Sequence, residues 1–300
     1  MRGLIDTFLI CVLAIGIASA QDLPIDVENE IEPIEEFPIE VDALDEFIQS
    51  YYALLDNAEY LDGFNFIKHK DNNIEDAANL YPFLYKLMEL RSGIRRQVTI
   101  FQFGDSHIKP GFFSTTTRSA LTEYFCPTGE SFSPILSYQF KGVNGGSFQN
   151  LLGNQDIIGR CRELKPDLIV VSLGTNDAQG IYSAPRFRTQ LETFMSALKE
   201  CQGEAEIVFT LPPDTNKKGK HNADVAKVSD EIREYAKANG HACWDLAAVM
   251  GGYGTIRKWR SQDFASKDMI HFSPKGYMLQ GYLFYDALMR AYKTYAENSR

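Results

Sequence analysis

The strands of this chain do not alternate, and that constrains its fold more than any other feature. VTIFQF (98–103), DLIVVSLG (167–174) and EIVFTL (206–211) are largely apolar on consecutive residues. A strand with one wet face alternates, whereas a strand covered on both faces reads as a continuous run. Two shorter runs, SYQF (137–140) and HACWDL (241–246), have the same character. Amphipathic helical stretches fall between them, at 111–125, 148–161, 187–201 and about 223–239, and a last one spans 276 to about 295. Strands and helices that take turns in this way predict an α/β fold, a parallel sheet with helices on both faces. Two further helical stretches, 44–55 and 77–90, lead into it. With 300 residues, 44% hydrophobic and 23% charged, the chain can build one large core. Nothing in residues 47–300 marks a second domain.

The first 46 residues read differently. Residues 1–20 hold one Arg, an apolar run from Phe8 to Ile17 and then Ala18-Ser19-Ala20. This is the layout of a secretory signal cleaved before Gln21, and the run is short for a bilayer span. Residues 21–46 carry eleven acids, no base, and Pro24, Pro33 and Pro38, as a solvated linker does. The net charge of −10 therefore belongs to this segment, and the remainder is nearly neutral. No basic patch suggests a nucleic-acid partner, and no later run is long enough for stable membrane insertion. The expected location is exported, periplasmic or extracellular. Four cysteines follow the leader: Cys126, Cys161, Cys201 and Cys243. An exported protein can pair them in three ways. Cys161 and Cys201 each end a helix leading into the next strand, so these two are expected to lie close. None has the Cys-x-x-Cys spacing of a zinc site.

Ligands of an open parallel sheet bind beyond the carboxyl ends of its strands. Gly104-Asp105-Ser106-His107 follows the first strand, and KGVNGGSF (141–148) follows the second. Gly174-Thr175-Asn176-Asp177 follows the third, and DMIHFSPKG, with Asp268 and His271, precedes the last helix. Together they suit acyl transfer. The Ser106 hydroxyl needs a base to take its proton, and His271 is the candidate. Asp268, three residues earlier, can hold the other ring nitrogen. The Asn176 amide and the backbone N–H groups of Ser106 and Gly145 can receive the oxyanion. Taken alone, Gly-Asp-Ser is a common turn and Gly-Thr-Asn-Asp a common helix start. Their order along one sheet edge is what gives them weight. His107 has no part in this scheme.

These blocks resemble those of the SGNH hydrolases, also called GDSL esterases: Gly104-Asp105-Ser106, Gly145, Gly174-Thr175-Asn176-Asp177 and Asp268-Met269-Ile270-His271. The resemblance spans roughly residues 95–293. Gly142 or Gly146 is the alternative in the glycine block. The resemblance implies a flavodoxin-like three-layer α/β/α sandwich, a Ser106–His271–Asp268 triad and three oxyanion donors, with no metal and no cofactor. His107 after the serine, the helical lead-in and the closing segment are similar to exported members from Bacteroidetes-type bacteria. Among those relatives the common theme is removal of O-acetyl groups from cell-wall or dietary polysaccharide.

Other readings compete. No serine lies in Gly-x-Ser-x-Gly, which disfavours the α/β-hydrolases. Asp105-x-His107 after a strand also suits a metal-dependent phosphoesterase, but five histidines with no His-x-His are few for a two-metal site. A non-catalytic glycan binder would not need all four blocks. An acetyl transferase would use the same residues, and a lysophospholipase or thioesterase differs only in loops. Phe112, Tyr182 and Trp259 are candidate sugar-stacking aromatics.

Overall fold

The structure, a computed structural model, describes residues 55, 58–126 and 134–299. The leader, the acidic segment and most of the 44–55 helix lie outside the described residues. The strands are β1 (Gln97–Gly104), β2 (Ile135–Gly142), β3 (Leu168–Ser172) and β4 (Glu206–Leu211), then a small hairpin, β5 (Asn216–Lys217) and β6 (Lys220–His221), and finally β7 (Ala242–Asp245). All but the hairpin form one parallel sheet in the order β2-β1-β3-β4-β7. Counted along the chain, that is the 2-1-3-4-5 order of a flavodoxin-like doubly wound sheet, as the resemblance implies. The order reverses between β1 and β3, so the crevice opens where Gly104 pairs with Ser172.

The helices are α1 (Ala58–Asp62), α2 (Tyr81–Arg91), α3 (Phe112–Phe125), α4 (Gln155–Leu164), α5 (Thr175–Gln179), α6 (Ala184–Gln202), α7 (Asp224–Ala238), α8 (Leu246–Val249), α9 (Ile256–Ser261) and α10 (Pro274–Asn298). Successive residues of each strand serve opposite layers. Val98, Ile100, Val170, Val208 and Trp244 pack with α2, α3 and α10. Phe101, Phe103, Ile169, Val171, Ile207 and Phe209 pack with α4, α6 and α7. Each such side chain contributes about 1.5–3 kcal/mol on burial. Continuous apolar runs are therefore required in β1, β3 and β4, because neither face of these strands meets water.

Three departures from the sequence reading have local causes. The 77–90 helix opens as a 3-10 turn at Ala77–Leu80, and the α-helix starts only at Tyr81, with Pro82 in its first turn. The 148–161 helix starts at Gln155, because Gly153 takes φ +74 and turns the chain first. The β5–β6 hairpin turns at Lys218 (φ +52) and Gly219 (φ +75), and strands of two residues leave no hydrophobic period to read.

Cys161 and Cys201 do come together: the Cys161 thiol lies 3.6 Å from the Cys201 carbonyl in the layer shared by α4 and α6. All four cysteines are free thiols. Burial, and then the neighbouring Cys201, pushes the Cys161 thiol up to about 12.

Candidate active site

The loop after β1 is shaped by Asp105. Its backbone carbonyl accepts the N–H groups of Ile108 and Lys109, each at 3.2 Å. Its Oδ1 accepts the His107 N–H at 2.9 Å, and its Oδ2 accepts the Asn176 amide at 3.3 Å. The turn so formed lifts Ser106 to the cleft. Burial pushes the Asp105 carboxyl up to about 7, against the pull of its hydrogen bonds.

Ser106 Oγ lies 3.0 Å from His271 Nε2, and His271 Nδ1 lies 2.7 Å from Asp268 Oδ2. The other oxygen, Asp268 Oδ1, accepts the N–H groups of Ile270 (2.9 Å) and His271 (3.0 Å). One carboxylate thus fixes both the ring and its loop. Burial alone would raise Asp268, but the donors from His271 and Ile270 outweigh it and hold the carboxyl down at about 2.

Two braces absent from the sequence reading hold this loop. Asn216 donates its N–H to the Met269 carbonyl at 2.8 Å, fixing a residue at φ +54. Gln179, at the end of α5, donates to the Asn216 carbonyl at 2.7 Å. The hairpin strand therefore couples the Asn176 block to the His271 loop. Below the strand ends runs a buried polar ladder. Tyr138 and Ser114 donate to Gln102 Oε1, and Gln102 Nε2 and Thr210 Oγ1 donate to Ser172 Oγ. It ties β2, β1, β3, β4 and α3 together. Such polar residues in apolar runs carry no periodic signal, so only the fold reveals the ladder.

The glycine block separates by geometry. A Cβ on Gly142 would lie 2.1 Å from the Lys109 backbone nitrogen, so its role is close packing. Gly146 donates its N–H to Val143 at 2.9 Å and accepts the Asn176 amide at 3.0 Å. Gly145, at φ +68, has open space about its Cα, and its N–H has no acceptor among the described residues. The Ser106 N–H is in the same state. Asn150 holds the turn by donating to the Gly145 carbonyl at 2.7 Å. Asp177, pushed up to about 6 by burial, accepts the Phe148 N–H and joins this turn to α5.

Ser106, Asn176, Asp268 and His271 therefore meet at one edge, with Gly145 beside them. His107 meets them too, its ring stacked on that of His271 with centroids 5.3 Å apart. Trp259 does not: it is wholly buried, its indole N–H given to the Met250 carbonyl, so it cannot stack on a sugar. Tyr182 lies under the Lys227 ammonium, and Phe112 packs on the core. Among the described residues no group of three His, Cys, Asp or Glu is placed to hold a metal. A hydroxyl on an imidazole that is in turn held by a carboxylate, beside unspent N–H donors, is what acyl transfer through a covalent intermediate needs.

Residues 103–279 match the model of the GDSL-like Lipase/Acylhydrolase family. Among solved structures, the chain is similar to a peptidoglycan O-acetylesterase. The two share 14% identity with a TM-score of 0.61, over 76% of this chain and 98% of the other. It is also similar to a two-domain esterase active on acetylated mannans, at 14% identity and a TM-score of 0.54. That likeness covers 76% of this chain but 57% of the other. At these identities the likeness speaks for the fold. No curated protein matches the chain.

Proposed function

We propose, from the premise that this chain belongs to the GDSL-like lipase/acylhydrolase family, that it removes O-acetyl groups from a carbohydrate outside the cytoplasm, using Ser106, His271 and Asp268. The carrying observation is the unbroken line from Ser106 Oγ through His271 to Asp268, at 3.0 and 2.7 Å. His271 Nε2 takes the serine proton as Oγ attacks the acetyl carbonyl. Asp268 keeps the opposite proton on Nδ1 and balances the imidazolium. The oxyanion receives the N–H groups of Ser106 and Gly145 and the Asn176 amide. The Asn176 amide gives one hydrogen to the Gly146 carbonyl at 3.0 Å and shares the other, now on a long 3.3 Å bond to Asp105, with the oxyanion. The sugar hydroxyl leaves with the proton from His271. Water, deprotonated by the same ring, then releases acetate.

Two lines support the acetyl-carbohydrate reading. One is the likeness to esterases that act on peptidoglycan O-acetyl groups and on acetylated mannans. The other is the leader-like start: an enzyme so exported would meet wall or dietary polysaccharides. The test is a panel of acetyl, butyryl and long-chain esters, with acetylated xylan and O-acetylated peptidoglycan, on the protein beginning at Gln21. Acetyl esters should be preferred, Ser106→Ala should abolish turnover, and chelator should spare it. Preference for long chains would make it a lipid or thioester acylhydrolase. Acetyl passed to an acceptor sugar would make it a transferase. Mature protein in the cytoplasm with residues 1–20 intact would end the export reading.

A further inference from the structure

We propose that His107 is a positioning residue for the base: a neutral imidazole fixed against the face of His271, which sets that ring toward Ser106 and stabilises it once it holds the serine proton. The proposal rests on the serine-esterase reading above, since it needs His271 to become an imidazolium.

The ring is built in, not merely nearby. His107 is buried, and its plane lies 30° from that of His271 with centroids 5.3 Å apart. Phe272 and Tyr277 close its other sides at 5.8 and 5.9 Å. Its tautomer is part of the proposal. The Tyr277 hydroxyl lies 3.2 Å from His107 Nδ1, and in the proposal it gives its hydrogen to that nitrogen. Nδ1 is then an acceptor, and the ring proton sits on Nε2. That nitrogen is buried with no protein partner, and so is Gln280 Nε2. Both residues line a cavity of ≈ 20 Å³ with Asp105, Ser172, Thr175 and Thr210. This is room for about one water, and one water can accept from both nitrogens. The ring thus has a fixed place and no carboxylate of its own.

A ring in that setting stays uncharged. Burial first, and then the charge of His271, hold His107 down at about 3. When His271 gains the proton it meets a neutral π-face, not a second cation, and such a face attracts a cation within about 6 Å. The other groups around His271 act from its edge. Asp268 faces Nδ1, Ser106 faces Nε2, and the buried Asp105 acts at longer range, and only when ionised. Tyr277 is turned to His107. Among the described residues, only the His107 ring is stacked on its face.

The experiment compares His107→Phe, which keeps a flat ring, with His107→Gln, which keeps polarity without one. The readouts are kcat and the acid limb of kcat/KM against pH. In His107→Gln the acid limb should move down by about half a pH unit or more, and kcat should fall roughly ten-fold. His107→Phe should stay near wild type on both. Equal behaviour of the two variants, at the wild-type level or far below it, overturns the proposal. Should a variant fail to fold, ring NMR on the wild type decides. His107 must remain neutral, with its proton on Nε2, throughout the range in which His271 protonates; a His107 that charges above about pH 5 overturns it. Ser106→Ala runs beside these: if it keeps activity, the esterase reading has failed, whereas a dead Ser106→Ala with silent His107 variants sinks only this inference.

Discussion

Asp268 does two jobs with two oxygens, and that decides how its replacement should behave. Oδ2 faces the His271 ring, while Oδ1 takes two backbone N–H groups. Asn has one acceptor oxygen for these three donors, so Asp268→Asn disturbs the loop as well as the tautomer. Its loss of turnover should approach ~10⁴-fold. Ser106→Ala and His271→Ala each remove the unit that makes and breaks the covalent bond, and about 10⁶-fold is expected of either. Asn176→Ala removes one oxyanion donor of three, for roughly 10²–10³-fold in kcat with KM little changed. Steady-state kinetics on an acetyl ester rank them; an Asn176→Ala as damaging as Ser106→Ala would mean the Asn176 amide builds the loop more than it binds the oxyanion. The sequence shows these residues because Ser106 and Asn176 stand where a strand ends and Asp268 and His271 stand just before the closing helix. It does not show His107 on the face of His271, because the two lie 164 positions apart along the chain and no spacing rule joins them.

The elements that carry the site meet at unusually short range. A Cβ on Gly281, in the middle of α10, would lie 2.3 Å from the Phe113 carbonyl oxygen of α3, and Thr117 donates to the Gly281 carbonyl at 3.0 Å. α3 follows the nucleophile loop and α10 follows His271, so this contact sets the distance between the helices that flank both ends of the catalytic pair. Gly281→Ala must push backbone from backbone. A loss of about 1–3 kcal/mol in denaturant unfolding is expected, with kcat reduced as Ser106 and His271 separate. A neutral Gly281→Ala would show that α10 can slide freely. What was legible at this scale follows from burial. β1, β3 and β4 were plain because two-sided burial demands unbroken apolar runs, and α6 and α7 because one-sided burial demands a helical period. The β5–β6 hairpin, α5 and α9 were not, since elements of two to six residues bury too little to leave a pattern. Yet Asn216 of the hairpin and Gln179 of α5 are what fix the His271 loop to the Asn176 block.

Across the whole molecule, the buried groups under the site pull stability in opposite directions as pH changes. Asp105 rises from 3.8 in the unfolded chain to about 7, and Asp177 from 3.8 to about 6, both chiefly through burial. Between pH about 4 and those values the folded chain keeps protons that the unfolded chain releases, so their contribution falls as pH rises. His107 does the reverse. It titrates near 6.5 when unfolded and at about 3 when folded, so between those values the unfolded chain holds the extra proton and stability rises with pH. In the wild type the three partly cancel, two carboxyl protons against one imidazole proton, which leaves a shallow decline from about pH 4 to 7. Removing one member exposes the rest. His107→Phe should show the steepest fall of Tm over that range, because only the two carboxyl groups remain. Asp105→Asn should be nearly flat below about pH 6, where Asp177 and His107 offset each other. Calorimetry of the three proteins from pH 4 to 7.5 reads the order directly. Parallel curves would mean that these groups reach bulk water in the folded chain, and that the closed pocket behind Ser106, on which the neutral His107 depends, does not exist in solution.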